Sequence, residues 1–142
     1  MIFLCEKEKL FDAVSTVIKA VSAKSPMPIL EGILISTDED KIILTTNNLD
    51  TGIECTIPAT VQENGSAVLG DAKVFMEIIR KLPNDIISVD VKEDLKTTIK
   101  SQKSVYNVLA LSPEQFPELP QIKESASFTL PSNVLKKMIR QT

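Results

Sequence analysis

The fold is decided by residues 2–21, which read IFLCEKEKLFDAVSTVIKAV. Residues 2–6 are typical of a short strand, and this strand runs directly into apolar residues at helical spacing. The apolar stripe consists of Leu10, Phe11, Val14, Val17, Ile18 and Val21. The opposite face carries Lys9, Asp12, Thr16 and Lys19. The sequence therefore predicts a strand followed by an amphipathic helix, and Pro26 and Pro28 require that helix to end before residue 24.

Three strand candidates follow this helix. They cover residues 29–37, 41–46 and 51–59, and polar turn residues separate them at 38–40 and 47–48. Short connections of this kind join antiparallel neighbours, so the sequence predicts an antiparallel meander.

The same order of elements recurs in the second half of the chain. A strand at 66–69 leads into a helix that begins at Asp71. The apolar face of that helix consists of Val74, Phe75, Ile78, Ile79 and Leu82. Three further strands are predicted at 86–92, 96–100 and 104–111. A shift of 65 residues places Leu10 on Phe75, and self-similarity at a fixed period indicates a structural repeat. We therefore predict an α+β fold of two strand-helix-three-strand halves, with antiparallel sheets and two helices on one face.

A third copy of the pattern starts near the end of the chain. A shift of 125 residues aligns the first strand and helix with residues 127–130 and 132–141. The residues before it, which are typical of an extended linker, include Pro113, Pro117 and Pro120. We expect residues 1–120 to form one domain, and residues 121–142 to hold a linker and the severed start of a second domain of a longer parent chain.

Composition excludes several classes of chemistry. The 142 residues include no histidine and only two cysteines, Cys5 and Cys55. Without histidine, the usual proton shuttle and the commonest transition-metal ligand are absent. Two cysteines so far apart, each in an apolar run, favour buried free thiols over a zinc site or a disulfide. We therefore predict no catalytic residue, no metal site and no cofactor.

Two short motifs have more than one interpretation. Asp38-Glu39-Asp40 could ligate a metal, but aspartate favours hairpin turns and a strand follows at once. Asn64-Gly65-Ser66 matches a glycosylation pattern, yet without a secretory route it is simply a turn. Both motifs are predicted to be turns.

The chain has no membrane or export signal in its sequence pattern. Its apolar runs fall far short of the roughly 18 to 20 residues of a membrane span. Residues 6–9 are all charged, which is unlike the start of a signal peptide. We expect a cytoplasmic protein without a membrane partner.

Charge is distributed unevenly along the chain. Residues 7–24 hold four lysines against two acidic residues, and residues 71–82 hold three basic residues against two acidic ones. The helices therefore carry a net charge of +3, and the remainder carries −6 within a total of −3. If both helices lie on one face of a sheet, that face is basic and suited to phosphates. The alternative is an ordinary solvated helix face.

Three stretches carry a family resemblance. They are residues 24–34, KSPMPILEGIL, residues 45–50, TTNNLD, and residues 111–119, LSPEQFPEL. Together they resemble the bacterial DNA polymerase III beta subunits, the sliding clamps, at their N-terminal domain, and the resemblance covers the whole chain. The chain departs from the family at residues 48–50, where Asp-Leu-Glu is frequent, and at Lys24 and Lys73, where arginine is frequent. Lysine weakens bidentate recognition of phosphate.

The resemblance implies a ring of two head-to-tail subunits, each with three such domains, whose helices surround double-stranded DNA and tether the replicative polymerase. Contacts to phosphate should then be weak and independent of sequence. The DNA-facing candidates that the resemblance implies are Lys24, Lys73 and Arg80, followed by Lys9 and Lys19. The candidate edge toward the second subunit consists of Val74, Lys103, Tyr106 and Val108. The polymerase and the clamp loader are expected to bind through domains outside this chain.

Two other interpretations stay open at this point. An isolated interaction domain would bind protein partners through its alternating strands, with the lysines serving only solubility. A carboxylate enzyme would need Asp38 and Asp40 in a cleft that raises the pKa of one of them. Steep salt dependence of DNA retention is expected of a clamp, and salt-insensitive peptide binding of an interaction domain.

Overall fold

The computed structural model describes residues 1–22, 25–120 and 126–142. Its strands are β1 (Ile2–Glu6), β2 (Ile33–Asp38), β3 (Lys41–Asn47), β4 (Gly52–Pro58), β5 (Thr60–Glu63), β6 (Ser66–Leu69), β7 (Ile86–Val91), β8 (Lys96–Ser101) and β9 (Ser104–Leu111). Its helices are α1 (Lys7–Val17), α2 (Ala72–Lys81) and α3 (Ser132–Arg140). Short 3₁₀ turns occupy Ile18–Ala20, Pro28–Glu31 and Pro113–Gln115.

The strands pair in the antiparallel order β4-β3-β2-β6-β9-β8-β7-β1-β5. The first strand of each half pairs with the other half. Strand β1 lies beside β7, with Phe3 opposite Val89, and β6 lies beside β2, with Val68 opposite Leu34. This exchange of strands builds the two halves into one domain with a shared core.

Strand β5 is not predicted by the sequence, because the predicted strand at 51–59 ends with β4. Ala59 separates β4 from β5, and its N–H donates to the carbonyl of Asp40 at 2.8 Å. Strand β4 pairs with β3, whereas β5 crosses to β1 and places Val61 opposite Phe3. The first half therefore has four strands after its helix rather than the predicted three.

Strand β9 makes the equivalent crossing without a break. Its residues 104–109 pair with β8, and only Ala110 and Leu111 pair with β6. The outer hydrogen-bonding side of residues 104–109 has no partner strand within the described ranges. An edge at the last strand is what the sequence predicted for this part of the chain.

The predicted strand at 29–37 begins later than expected. Pro28 starts a 3₁₀ turn, in which the N–H of Leu30 donates to Met27 and the N–H of Gly32 donates to Ile29, at 3.0 and 3.2 Å. Strand β2 begins at Ile33 because the turn must first bring the backbone of Gly32 against β6. A Cβ atom at Gly32 would lie only 2.5 Å from the carbonyl oxygen of Leu69.

The core lies beneath both helices. Helix α1 buries Leu10, Ala13, Val14 and Val17, and helix α2 buries Ala72, Phe75, Ile78 and Ile79. All eight side chains belong to one hydrophobic cluster with the inward residues of the strands. The predicted α+β fold is therefore confirmed. Val74 was predicted on the core face of α2 but is 48% exposed, because it lies at the edge of the apolar stripe centred on Phe75 and Ile79.

Two of the three stretches that carry the family resemblance meet in a second, smaller cluster. Phe116 packs with Ile29, Leu30 and Val68. Further along the same segment, Leu119 lies so close to Gly52 that a Cβ atom there would be 2.1 Å from it. The segment after β9 is thus packed along the domain as far as residue 119.

The described residues from 126 to 142 differ from the rest of the chain. Every one of them is exposed. Helix α3 confirms the helix predicted at 132–141, but the strand predicted at 127–130 does not form, since no neighbouring strand pairs with it. Within the described ranges, no helix has the length and apolar character needed to cross a membrane.

Candidate nucleic-acid interface

The two helices of the repeat lie side by side. The start of α1 contacts the end of α2, where the side-chain amide of Asn84 donates to Glu8 at 2.8 Å. The backbone N–H of Lys7 donates to Asp85 at 3.1 Å. The helices share one core beneath them, so their polar residues form a common outer surface, which we call the helix face.

Most of the predicted DNA-facing residues lie on this helix face. Lys9 and Lys19 on or just after α1, and Lys73 and Arg80 on α2, are all exposed. Lys24 lies outside the described residues, and its position stays a prediction. The structure therefore presents four of the five basic candidates to solvent from the two helices.

Acidic neighbours neutralise two of these four candidates. The ammonium of Lys9 lies 2.9 Å from a carboxylate oxygen of Glu6, and the guanidinium of Arg80 lies 2.6 Å from one of Glu77. Lys19 and Lys73 form no ion pair with any residue in the described ranges. Since a phosphate must compete with the carboxylate for a paired cation, Lys19 and Lys73 are the stronger candidates.

The geometry of Lys73 is fixed by the cap of its helix. Asp71 precedes α2, and its carboxylate accepts from the backbone N–H groups of Lys73 and Val74 at 2.9 and 3.0 Å. An aspartate cap satisfies two of the first N–H groups of a helix and defines where it starts. Lys73 is thereby held in the first turn of α2, with its side chain in solvent.

One basic residue on the helix face contributes to the predicted charge of the second helix but is not among the predicted DNA-facing residues. Lys81 is exposed and follows Lys73 and Glu77 at intervals of four residues, so the three form one row on the surface of α2. That spacing is the signal that could have identified it. Lys81 belongs to the same surface as the predicted candidates.

Lys7 contributes to the predicted positive charge of the first helix, but its side chain is hydrogen-bonded to the end of α2. Its side-chain amine donates to the carbonyl oxygens of Arg80 and Leu82 at the end of α2. A cation at a helix C-terminus offsets the partial negative charge of the unpaired carbonyls. Lys7 therefore joins the helices instead of adding to the charge available for phosphates.

Only two of the four residues predicted at the subunit edge lie close together. Val74 and Val108 line one shallow groove between α2 and β9, together with Phe75 and Leu109. Lys103 is exposed in the turn before β9, at the opposite end of that strand. Tyr106 is half-buried and packs against the core, because β9 turns its even-numbered residues inward.

The outward face of β9 was not identified from the sequence. Val105 and Leu109 are 52% and 65% exposed, which is unusual for large apolar side chains beside an unpaired strand edge. The period of two along the strand was the available signal, since residues that alternate with an inward tyrosine must point outward. Val105 and Leu109 thus form an apolar margin on the outward face of β9, and Leu109 also lines the groove beside Val74.

The acidic motif at Asp38 forms a hairpin turn, as predicted. Glu39 has a φ of 49° in the left-handed region, and Asp38 lies 3.0 Å from the ammonium of Lys41. The hydrogen bond that Lys41 donates to the Asp38 carboxylate raises the pKa of Lys41 above its ordinary value. Within the described ranges, no three His, Cys, Asp or Glu residues are grouped so that they could hold a metal ion.

Comparison with known proteins identifies the family to which the chain is similar. A family model described as DNA polymerase III beta subunit, N-terminal domain, matches residues 1–120. The beta sliding clamps of Halalkalibacterium halodurans and Bacillus subtilis are 40% and 37% identical to the chain, and each alignment covers 100% of this chain. The chain spans 39% of the length of these curated relatives.

Solved structures agree with the relatives found by sequence. The crystal structure of the DNA polymerase sliding clamp from Bacillus subtilis superposes with a TM-score of 0.94 at 37% identity. A putative DNA polymerase III beta subunit from Eubacterium rectale superposes equally well, also at 37% identity. Each superposition covers 100% of this chain and 39% of the solved one.

Proposed function

Since this chain belongs to the DNA polymerase III beta subunit family, we propose that it serves DNA replication as the N-terminal domain of a sliding clamp. In this role the domain forms part of a ring around double-stranded DNA and keeps the replicative polymerase on its template. The resemblance inferred from the sequence is confirmed by the family match. The function of the whole ring is the proposal.

The observation that carries the proposal is the position of α1 and α2. Two helices from the two halves pack side by side and present Lys9, Lys19, Lys73 and Arg80 to solvent, within a chain whose net charge is −3. A basic surface on an acidic protein attracts phosphates locally without general affinity for nucleic acid. That combination suits a ring whose inner wall faces DNA.

The charges on the helix face support weak contacts to DNA. Glu6 and Glu77 pair with two of the cations, and the exposed side chains are mainly lysines, which bind phosphate as point charges. No side chain of this set requires a particular base. A clamp that must slide needs such contacts, because tight or sequence-specific binding would stop it.

The open side of β9 supports assembly of the ring. We propose that Val74 and Val108, with Lys103 and Tyr106 along the same strand and turn, meet the edge of a second, head-to-tail subunit. Unpaired strand edges with exposed apolar residues recruit another strand. The polymerase and the clamp loader would bind through other domains of the complete subunit.

The domain boundary is proposed at residue 120. The segment after β9 packs along the domain through Phe116 and Leu119, whereas every described residue from 126 onward is exposed. Residues 121–142 would then hold a linker and the beginning of a second clamp domain. Helix α3 corresponds in this scheme to the first helix of that domain.

The proposed role requires no bond-making chemistry, cofactor or metal, and it places the protein in the cytoplasm with the replication machinery. The alternative of an isolated interaction domain without a DNA function is disfavoured by the family match over residues 1–120.

A domain exchange tests the proposal. Residues 1–120 would replace the matching domain of the Bacillus subtilis sliding clamp, and retention of the hybrid on closed circular and on linear DNA would be compared after loading. Retention on the circle and loss from the ends of linear DNA is expected, as for the parent clamp. A hybrid that assembles but leaves both DNAs at the same rate would refute a role in encircling DNA.

A further inference from the structure

The connection between β5 and β6 contains an Asn-Gly pair, Asn64-Gly65, that the proposed function does not use. Both residues are exposed. In such a pair the backbone nitrogen of the glycine can attack the side-chain amide of the asparagine, because the glycine has no Cβ to obstruct the approach. Asparagine deamidation is therefore the chemistry to examine at this connection.

The reaction is balanced by water alone. The Gly65 nitrogen loses its proton to a solvent base and forms a bond to Cγ of Asn64, while the bond from Cγ to the amide nitrogen breaks and ammonia leaves. Water then adds to one carbonyl of the resulting succinimide ring and opens it to aspartate or isoaspartate. One water is consumed for each ammonia released, and nothing is oxidised or reduced.

Both reacting groups are hydrogen-bonded to one residue, Thr37, near the end of β2. The N–H of Gly65 donates to Oγ1 of Thr37 at 2.8 Å. The Thr37 hydroxyl lies 3.3 Å from Oδ1 of Asn64 and 3.2 Å from the carbonyl oxygen of Gly65. The backbone N–H of Thr37 also donates to that carbonyl at 3.0 Å. The attacking nitrogen and the amide under attack are thus both hydrogen-bonded to the neighbouring strand.

From this arrangement we propose that Asn64-Gly65 is a site of spontaneous deamidation, and that the hydrogen bonds of Thr37 lower the rate of this reaction. To react, the Gly65 nitrogen must release the threonine oxygen and turn toward Cγ of Asn64. One hydrogen bond of this kind changes the population of the released form by roughly two- to tenfold.

The position of the pair gives the modification a structural consequence. The residue before it, Glu63, accepts from the amine of Met1 at 2.8 Å, so an aspartate at position 64 would add a second negative charge beside that carboxylate. Isoaspartate would also lengthen the backbone by one methylene where the first half passes into the second. Strand β6 begins one residue later and buries Ala67 and Val68, which leaves the connection little freedom to absorb the change.

Peptide mass spectrometry of the purified chain tests the proposal. Wild type, Thr37→Val and Thr37→Ser would be incubated in mildly alkaline buffer, and the gain of mass at Asn64 would be followed with time. Thr37→Val, which keeps the shape but loses the hydroxyl, is expected to deamidate roughly two- to tenfold faster than wild type. Thr37→Ser should stay close to wild type, and Asn64→Gln should abolish the signal.

A second measurement distinguishes the effect of the Thr37 hydrogen bonds from an effect of the substitution on the fold. Wild type in urea loses the hydrogen bonds of Thr37 altogether, so deamidation at Asn64 should be faster there than in native buffer by at least the factor seen for Thr37→Val. Equal rates in urea and native buffer would overturn the proposal. A folded Thr37→Val protein that deamidates at the wild-type rate would overturn it as well. Circular dichroism identifies a variant that fails to fold, and the comparison in urea then decides.

Discussion

Lys7, the first residue of α1, donates through its side-chain amine to the carbonyl oxygen of Leu82, the residue that follows α2. The same amine lies 3.3 Å from the carbonyl oxygen of Arg80. The residue that begins α1 thus caps the C-terminal end of α2 with its positive charge. This contact holds the start of one helix against the end of the other.

Replacing Lys7 with methionine should lower the free energy of unfolding by about 1 to 2 kcal/mol, because the last carbonyls of α2 lose a charged donor. Urea denaturation measures the change. Lys81→Met is the matched control, since Lys81 is exposed in the last turn of the same helix and should change stability by less than about 0.5 kcal/mol. Equal effects of the two variants would contradict a capping role for Lys7.

The two cysteines should differ in reactivity. Burial, with a smaller contribution from the charge of Glu6, raises the pKa of the Cys5 thiol to about 12, whereas Cys55 is only half-buried. At pH 8, a thiol reagent should label Cys55 in the native protein and label both cysteines in urea, as intact mass would show. Rapid native labelling of Cys5 would contradict its burial.

The same thiol predicts a loss of stability at high pH. The unfolded chain releases the Cys5 proton near its ordinary pKa of 9.0, below the folded value of about 12, so between these values the unfolded state binds fewer protons. The free energy of unfolding should therefore be unaffected by Cys5 below pH 9 and fall as the pH rises above it. Cys5→Ala should show a shallower decline in urea denaturation across this range. An equally steep decline in that variant would assign the effect to other groups.

Periodicity was sufficient to predict most of the fold. Strands β1, β6 and β9 lie at the predicted residues and α2 begins one residue after its predicted start, because a strand or helix that buries one face must repeat its apolar residues at a fixed period. Strand β5 was missed for a physical reason. It follows β4 after the single residue Ala59, with no glycine or polar turn residue between the two strands, and only its pairing with β1 distinguishes it.

The candidate site was predictable in part. Exposure of Lys9 and Lys73 follows from the helical period, because each lies opposite an apolar stripe. Their local partners do not follow from it. Whether Glu6 pairs with Lys9 depends on the angle between β1 and α1. The hydrogen bond from Lys7 to the carbonyl of Leu82 depends on a contact between residues more than seventy positions apart.

The apolar margin of β9 predicts an assembly defect. In the clamp hybrid that carries residues 1–120, Leu109→Asp should weaken association of the ring subunits at least about tenfold, because a carboxylate would be buried against the partner edge. The fold should be retained, since Leu109 is 65% exposed. Sedimentation velocity measures the association.

Ile86→Asp is the control for this prediction, because Ile86 is also an exposed apolar residue, at 47%, but begins β7 away from the β9 edge. It should leave association unchanged. Tyr106→Ala is unsuitable as a probe, since Tyr106 packs against the core and its loss would destabilise the domain. Equal weakening by Leu109→Asp and Ile86→Asp would remove the assignment of β9 as the subunit edge.

The charges on the helix face predict a graded effect on DNA retention. In the clamp hybrid, Lys19→Ala and Lys73→Ala should each reduce the dependence of the logarithm of DNA affinity on the logarithm of salt concentration by up to about one unit, equally for all DNA sequences. Lys9→Ala and Arg80→Ala should each reduce it less, because Glu6 and Glu77 already occupy those cations.

The ion pair between Arg80 and Glu77 allows the opposite change. Glu77→Gln should steepen the salt dependence, because it removes the carboxylate 2.6 Å from the guanidinium and leaves Arg80 to neutralise a phosphate, which releases a counterion. Lys92→Ala and Glu93→Gln, which lower and raise the net charge by one in the exposed turn between β7 and β8, control for the change in net charge and should leave the dependence unchanged. Binding titrations over a range of salt concentrations measure all of these variants. If Lys92→Ala lowers the salt dependence as much as Lys73→Ala does, overall charge rather than the helix face attracts the DNA, and the assignment of α1 and α2 to the inner wall of the ring fails.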